Sequence, residues 1–444
     1  MKKRLFILGL FIALLFGANR SQATHIYGGD ISYAYLGDTL GNQHAYGILM
    51  TLYLDCNSPN WLRPGGGGFP SATVTMNVFE GAVNVTSLPL SSQVGAFTLF
   101  LNDSVEVKSN LPNGCQNTNN VCVYKVTYTG VVVVPTSFVG YHFIYDRCCR
   151  TTLTNINVQG QSTGTLLHAW TASTSIKNTS PKFRDLDFPF LCQGDTNTVL
   201  NLAQDIDGHQ LNYSFYEPFD GESGGPNPPG PYTGAYAAWP PAPVNYQTGF
   251  SLNQPFGNGG FASVNGLTGF TTLYSPITGT FVVGVEVKEI DQNGFTVGVI
   301  HREYQFPVLA CNDTNTTAPV LQTAQTDYVI DAGDSLCFDI VYHDANGTLG
   351  WIYSVDGAVF NPQFTNPAAT LSTPTITGDS SRQSFCWNTS CAQGRSTKYY
   401  FSVTAADSAC LPGVTNSIFS IEVKPFDGPN RLREPPAFVP ELPV

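Results

Sequence analysis

The sequence is poor in charge, poor in basic residues and free of long hydrophobic runs beyond its amino terminus. Only 12% of its 444 residues are charged, about half the share typical of soluble proteins. Lysine and arginine together number 20 against 32 acidic residues, which gives a net charge of −12. An acidic chain of this kind repels phosphate backbones and anionic lipid surfaces, so nucleic acid is not an expected partner.

The amino terminus carries the pattern of a secretory signal. Lys2, Lys3 and Arg4 precede an apolar run over residues 5–16, and Ser21-Gln-Ala23 supplies small residues before a cleavage point. The apolar run is too short to remain as a membrane-spanning helix. The sequence therefore predicts a signal peptide at 1–23. It also predicts a mature chain that is secreted, extracellular or at the cell surface, without a transmembrane segment.

Helix patterns are scarce and strand patterns are abundant. No segment sustains apolar residues at helical spacing without glycine or proline. Apolar side chains instead alternate with period two at 122–128, 281–288 and 419–423. Such alternation places one face of each strand on a core and the other in water. We therefore predict an all-β protein of tandem β-sandwich domains.

Repeats and composition divide the mature sequence into three predicted β domains, at 24–190, 191–312 and 313–425. Asp205-Ile-Asp207-Gly, with a closing strand at 279–287, returns as Asp344-Ala-Asn346-Gly with a closing strand at 399–407. The repeat favours two related modules in the second and third positions. The proline-rich residues 426–444 are predicted to form a disordered tail.

Eleven cysteines follow the predicted cleavage site, and in an exported chain they indicate disulfides rather than thiolate chemistry. The number is odd, so at least one thiol is free or linked to another chain. Five lie before residue 190, two in the second predicted domain and four in the third, which favours an unpaired cysteine in the first. The disulfide candidates are Cys56, Cys115, Cys122, Cys148, Cys149, Cys192, Cys311, Cys337, Cys386, Cys391 and Cys410.

Acidic residues in the repeated loops are candidate ligands for Ca²⁺. Carboxylates at i and i+2 of a turn can point at one ion, and Ca²⁺ prefers several oxygen ligands. Because Asp and Asn before Gly are also common turn formers, the same loops could serve the backbone alone. The predicted ligands are Asp205, Asp207 and Asp291 in the second domain, and Asp344, Asn346 and Asp407 in the third.

Aromatic residues in the proline-rich loop of the second domain are candidate glycan-binding residues, because exposed rings stack on the apolar faces of sugars. These residues are Tyr232, Tyr236, Trp239 and Tyr246. The alternative, which we favour, is that the rings pack the long loop onto the adjacent sheet.

One short motif suggests catalysis. Gly221-Glu-Ser223-Gly-Gly225 fits the G-x-S-x-G pattern of serine hydrolases. That chemistry needs a sharp strand-to-helix turn or a two-barrel fold with a positioned histidine and acid, whereas this serine lies in a loop of proline and glycine. None of the seven histidines stands in a recognisable catalytic context. We therefore do not expect an enzyme, and a serine hydrolase is the weakest of the alternatives.

Several segments resemble a known family of surface proteins. They are Thr-His-Ile-Tyr-Gly-Gly-Asp-Ile-Ser-Tyr at 24–33, Leu-Tyr-Leu-Asp-Cys at 52–56 and Tyr-Asp-Arg-Cys-Cys-Arg at 145–150. Together they are similar to the amino-terminal region of gliding-motility-associated, repeat-rich surface proteins of Bacteroidetes. Residues 188–311 resemble the cadherin-like or polycystic-kidney-disease-type module of such proteins, and 337–410 resemble the immunoglobulin-like module that follows.

The resemblance implies a non-catalytic structural or adhesive protein of the cell surface, with surface polysaccharide or other surface proteins as partners. It also implies export by the type IX machinery. Members of the family usually continue to a carboxy-terminal sorting domain, whereas this sequence stops at Pro-Glu-Leu-Pro-Val444. The resemblance thus predicts a fragment or a short form, and a glycan-binding accessory protein is the alternative function.

Overall fold

The computed structural model describes most of the chain, in segments that form two compact units. The first unit comprises described residues up to 310 and the second those from 318 onward. The predicted signal peptide and tail lie outside the described residues, which are 26–57, 70–107, 121–148, 150, 153–157, 163–186, 190–221, 235–310, 318–345, 351–362, 365–407 and 414–425.

The first unit is built from strands and one short 3₁₀ turn, Leu90–Ser92. Its strands are β1 (Ile26–Thr39), β2 (Gln43–Asp55), β3 (Thr73–Glu80), β4 (Gln93–Glu106), β5 (Val123–Pro135), β6 (Tyr141–Cys148), β7 (Gly164–Thr171), β8 (Lys182–Phe183), β9 (Leu191–Cys192), β10 (Thr196–Leu200), β11 (Ala203–Gln204), β12 (Gln210–Tyr216), β13 (Asp220–Gly221), β14 (Phe261–Val264), β15 (Phe270–Tyr274), β16 (Gly279–Ile290) and β17 (Thr296–Leu309).

Most of these strands belong to one sheet of twelve, with the order β12-β16-β17-β1-β2-β5-β4-β3-β6-β7-β13 and with β9 beside β17. The sheet curls so that both β1 and β7 reach β17. Residues 28–30 of β1 pair with 302–304 of β17, and 169–171 of β7 pair with 298–300. The curled sheet encloses the main core, in which Tyr33, Tyr46 and Tyr128 are almost completely buried.

The predicted boundary at residue 190 does not separate two compact units. Strands from both sides of that boundary pair in the same sheet, and both contribute side chains to the same core. The predicted alternation in β16 explains how this occurs. Val285 and Val287 lie in the main core, whereas Phe281 and Val283, on the same face of the strand, lie in a second core beside Phe256. One long strand therefore serves both halves of the unit.

The second unit has two sheets that enclose one core, as a sandwich requires. Their orders are β18-β20-β24-β22 with β23 beside β24, and β19-β26-β25-β21. Phe419, Ile421 and Val423 are buried in this core together with Trp387, which confirms the predicted alternation. The strands are β18 (Val320–Leu321), β19 (Asp327–Asp331), β20 (Ser335–His343), β21 (Trp351–Gly357), β22 (Thr370–Leu371), β23 (Thr375–Thr377), β24 (Ser380–Asn388), β25 (Tyr399–Asp407) and β26 (Val414–Lys424), with 3₁₀ turns at Ala358–Phe360 and Cys391–Gln393.

The part of the chain that the structure describes contains no α-helix, so the all-β prediction is confirmed. Within the same residues, no helix is long and apolar enough to cross a membrane.

Disulfides join neighbouring strands in both units. Cys56, just after β2, is bonded to Cys122, just before β5, and Cys337 of β20 is bonded to Cys386 of β24. Cys192 is also in a disulfide. Cys391, one of the predicted disulfide candidates, is free and exposed. The side chains of Cys115, Cys148, Cys149, Cys311 and Cys410 lie outside the described residues.

Candidate functional sites

The loop between β11 and β12 brings three polar side chains together. The Asp205 carboxylate accepts hydrogen bonds from the backbone N–H groups of Asp207 at 3.1 Å and His209 at 2.5 Å. Gly208 has a φ of 77°, a conformation that glycine adopts without strain. The carboxylate thus closes a turn of the kind that Asp favours. The turn places the His209 ring beside Asp205, with 3.6 Å between Nδ1 and Oδ2.

The fourth member of the group comes from a distant strand. Pairing of β12 with β16 sets Leu211 opposite Glu289, so the Glu289 side chain lies at the start of β12. Its Oε1 is 3.0 Å from Nδ1 of His209. One potential ligand atom from each of Asp205, Asp207, His209 and Glu289 lies within 4.8 Å of the others.

A neighbouring segment fixes the two outer carboxylates. Asn178 Nδ2 donates to Glu289 Oε2 at 2.7 Å, and the backbone N–H of Thr179 donates to Asp207 Oδ2 at 2.7 Å. Space for Glu289 depends on Gly298, since a Cβ there would lie 2.1 Å from Oε2. The group is therefore held from three sides, by the β11–β12 loop, by β16 and β17, and by residues 178–179.

Burial disfavours the negative charge of the carboxyl groups in this group. The Glu289 side chain is fully buried and that of Asp205 is 3% exposed. Burial raises the pKa of both carboxyl groups, while the hydrogen bond to Glu289 raises the pKa of His209. Three carboxyl groups thus face one imidazole. A bound cation or bound protons can supply the missing positive charge.

Two of the four members of this group were predicted from the sequence. Asp205 and Asp207 belong to it, but Asp291 does not. The Asp291 carboxylate accepts hydrogen bonds from the backbone N–H groups of Asn293 at 2.9 Å and Phe295 at 2.8 Å, so it closes the β16–β17 turn. His209 and Glu289 were missed. His209 could have been found from the sequence, because it follows Asp207 by two residues in the same loop. Glu289 is identified only by the pairing of β12 with β16.

The predicted ligands of the second unit do not form a described group. The Asp344 side chain is buried, and its backbone N–H donates to the carbonyl of Asp379. Asn346 and the side chain of Asp407 lie outside the described residues.

The prediction of exposed sugar-stacking rings is wrong for Tyr236 and Trp239, which are 0% and 5% exposed. Tyr236 donates to Asp146 Oδ2 at 3.0 Å, and Trp239 packs over buried histidines. Tyr246 is half-buried against a small core, and Tyr232 lies outside the described residues. The described rings thus pack the segment onto the sheet, as the favoured alternative predicts. Ser223 also lies outside the described residues.

A second candidate site is the outer face of β1, β2, β4 and β5. On this face, Thr129 of β5 lies opposite Phe100 of β4 on one side and opposite Leu49 of β2 on the other. Val131 of β5 lies opposite Gly47 of β2, and Leu36 of β1 packs beside Gly47. Phe100, Val131 and Leu36 are 60%, 59% and 58% exposed. Leu99 and Val132, which are adjacent in sequence to Phe100 and Val131, lie in the core, so these strands carry apolar residues on both faces. We call the part of this surface without charged side chains the uncharged face, defined by Leu36, Leu49, Phe100, Thr129, Val131 and Val133. Asp103, which pairs with Thr127, and Lys125 mark its edge.

No family model and no curated protein sequence matches the chain. Among solved structures, it is similar to the sialic acid binding region of a Streptococcus sanguinis adhesin, with 12% identity and a TM-score of 0.20, over 87% of this chain and 74% of that one. It is similar to the Ig1-2 module of the Drosophila receptor protein tyrosine phosphatase DLAR, with 12% identity and a TM-score of 0.19, over 55% of this chain and 98% of that one. No functional conclusion follows at these TM-scores.

Proposed function

We propose that this protein is a non-catalytic structural and adhesive component of the cell exterior, and that its first unit binds a neutral polysaccharide through the uncharged face. The observation that supports the proposal is the position of Phe100, Val131 and Leu36. These three apolar side chains are more than half exposed on one sheet face of the first unit. Contiguous exposed apolar surface of this kind commonly marks an interaction site.

The chemistry of the face favours a neutral and hydroxyl-rich partner. Thr129 offers a hydroxyl between the apolar side chains of Phe100 and Leu49, so the face alternates apolar and hydrogen-bonding groups. Sugar rings present the same alternation, and aromatic rings such as Phe100 suit their apolar faces. The net charge of −12 acts against an acidic polymer. Repeated weak contacts along a polymer would supply avidity.

The test is retention of the mature protein on immobilised neutral polysaccharides. We expect the protein to be retained, and we expect the double variant Phe100→Asp/Val131→Asp to elute in the void because two carboxylates interrupt the face. Ile376→Asp is the matched control, since Ile376 is 53% exposed in the second unit. Equal retention of the double variant and the control would refute the role of the face. Failure of the unaltered protein to bind any neutral polysaccharide would refute this partner.

We also propose that Asp205, Asp207, His209 and Glu289 bind a divalent cation that stabilises the first unit. One imidazole among carboxylates favours a transition metal such as Zn²⁺, whereas Ca²⁺ prefers oxygen ligands alone. The proposal of a surface protein also includes export through a signal peptide at 1–23, use of the type IX machinery and a role in gliding.

A further inference from the structure

Three buried histidines form a hydrogen-bonded row on the outer side of the curled sheet. His142 of β6, His168 of β7 and His301 of β17 are each at most 4% exposed. Nδ1 of His142 is 2.9 Å from Nε2 of His168, and Nδ1 of His168 is 3.0 Å from Nδ1 of His301. These strands are neighbours in the sheet, so the row runs across them. We call these three residues the histidine row.

Each end of the histidine row meets a group that only accepts hydrogen bonds. Nε2 of His142 is 3.1 Å from the carbonyl oxygen of Ala82, and Nε2 of His301 is 3.2 Å from Oε2 of Glu286. Both terminal nitrogens must therefore carry a proton and donate it. Burial raises the pKa of Glu286, but hydrogen bonds from His301 and Lys288 outweigh burial and bring it to about 2, so the carboxylate is ionised.

Counting protons fixes the charge of the histidine row. Its two terminal contacts and two ring-to-ring contacts need one proton each, which makes four. Three neutral imidazoles carry three protons, so the complete row holds one added proton and a single positive charge. The Glu286 carboxylate accepts the hydrogen bond from Nε2 of His301, so we assign that charge to the His301 end of the row. A row with one proton fewer would leave two lone pairs facing each other in a ring-to-ring contact, or a lone pair against an acceptor oxygen at one end. A row with one proton more would place two protons in one ring-to-ring contact.

The histidine row supports the segment that covers it. The Trp239 ring lies edge-on to His142 and His168, at centroid distances of 5.1 and 5.0 Å. The backbone N–H of Trp239 donates to the carbonyl of Thr86 at 2.8 Å, and Tyr236 forms a backbone bridge with Leu88. We call residues 235–246 the cover segment.

The other charged and titratable groups around the histidine row already have partners. Lys288 pairs with Glu286 at 2.9 Å, and Arg150 pairs with Glu303, which follows His301 on β17. Asp146 of β6 accepts the hydrogen bond of Tyr236, and Asp220 accepts one from the backbone of Gly164. Tyr216 lies against His301 at 4.4 Å, and burial raises its pKa well above the usual value. His142 and His168 are therefore the groups beneath Trp239 whose protonation responds to acid.

We propose that the histidine row is a pH-sensitive latch, which holds the cover segment against the sheet only while the row carries one added proton. Acid opens the latch, because a second proton breaks a ring-to-ring hydrogen bond under Trp239. Burial lowers the pKa of His142 to about 4 and that of His168 well below its usual value, so the closed form resists this proton. An opened row takes it up readily. The closed form therefore loses stability as the pH falls from about 6.5 towards 4.

The proton count is tested by nitrogen-15 NMR of the native, histidine-labelled protein at pH 7. We expect His301 to carry protons on both ring nitrogens, and His142 and His168 to be neutral with the proton on Nε2. In Glu286→Gln, the new amide can donate to Nε2 of His301, so we expect all three rings to be neutral. A neutral His301 in the native protein, or a His301 that stays charged in Glu286→Gln, would overturn the proposal.

The opening is tested by tryptophan fluorescence of the full mature chain, with Trp239→Phe subtracted to isolate the Trp239 signal. We expect that signal to change cooperatively between about pH 6 and 4 while the second unit stays folded. His168→Gln breaks the row, so its transition should move to higher pH by about one unit. His343→Gln, in the second unit, is the control and should leave the transition unchanged. A Trp239 signal that is constant over this range would refute the latch.

Discussion

His209 Nδ1 lies 3.0 Å from Oε1 of Glu289, a residue 80 positions away whose side chain is fully buried. The contact joins a short acidic turn to a long strand and brings three carboxyl groups around one imidazole. Without a cation, the group must hold extra protons to limit its negative charge. The stability of the first unit should therefore respond both to metal ions and to pH.

The first prediction concerns metal binding. We expect Zn²⁺ to raise the melting temperature of the mature chain, because an ion that binds only the folded state at 100 times its Kd stabilises it by about 2.7 kcal/mol. Glu289→Gln should abolish this shift, and Asp291→Asn should retain it because Asp291 closes its own turn and lies outside the group of potential ligands. The measurement is calorimetric melting with Zn²⁺, with Ca²⁺ and with chelator. A shift that survives Glu289→Gln would place the ion elsewhere, and a larger shift with Ca²⁺ would reverse the preference proposed here.

The second prediction is that metal affinity rises with pH. The raised pKa values of Asp205, Glu289 and His209 mean that these groups retain protons that a metal ion must displace. Binding should therefore release protons at pH 6 to 7 and weaken as the pH falls. Titration calorimetry in buffers of different ionisation enthalpy measures the released protons directly. Equal apparent heats in all buffers would contradict the assignment of these ligands.

The fold and the site were predictable to different degrees, for a physical reason. Alternation along a single strand reports which residues face a core, and it identified β16 and β26 correctly. It does not report which strand lies alongside. The pairing of β1 and β7 with β17, which merges two expected domains, depends on contacts across more than a hundred residues. The sequence does not identify Glu289 as a candidate ligand for the same reason. Only the pairing of β12 with β16 places Glu289 beside His209.

Local turn chemistry was easier to read than side-chain partners. The Asx-type turns at Asp205 and Asp291 follow from Asp near Gly, and both are present. Their side chains look equivalent in sequence, but one faces a buried strand end and the other faces solvent. The segment at 145–150 is another example. Asp146 accepts a hydrogen bond from Tyr236 and Arg150 pairs with Glu303, and both partners lie far along the chain.

The third prediction compares bonded and free cysteines in the second unit. Removing the Cys337–Cys386 disulfide with Ser at both positions should cost about 2–5 kcal/mol, since the open chain gains conformational freedom when it unfolds. Cys391→Ser should leave stability unchanged, because that thiol is free and exposed. Urea unfolding followed by the fluorescence of Trp387, a buried neighbour of the disulfide, measures both variants. Equal stability of the double variant and Cys391→Ser would mean that the bond does not constrain the unfolded chain.

The fourth prediction concerns the buried ion pair of Arg150 and Glu303, whose side chains have no exposure to solvent. Arg150 also donates to the carbonyls of Gly164 at 2.6 Å and Phe219 at 2.9 Å, so it ties β7 to the chain just before β13. Arg150→Met leaves the Glu303 carboxylate buried without its cation and should cost about 3–5 kcal/mol.

Adding Glu303→Leu to Arg150→Met should recover part of that loss, because the unpaired charge is removed while the two carbonyls still lack their donor. Lys177→Met is the matched control. Both side chains of this pair are exposed to solvent, so the change should cost much less than Arg150→Met. Urea unfolding of the four proteins gives the comparison. The contradicting outcome is a loss of unfolding free energy in Arg150→Met that is no larger than in Lys177→Met. Water would then have to reach Glu303, and the segment before β13 could not be packed closely over β7.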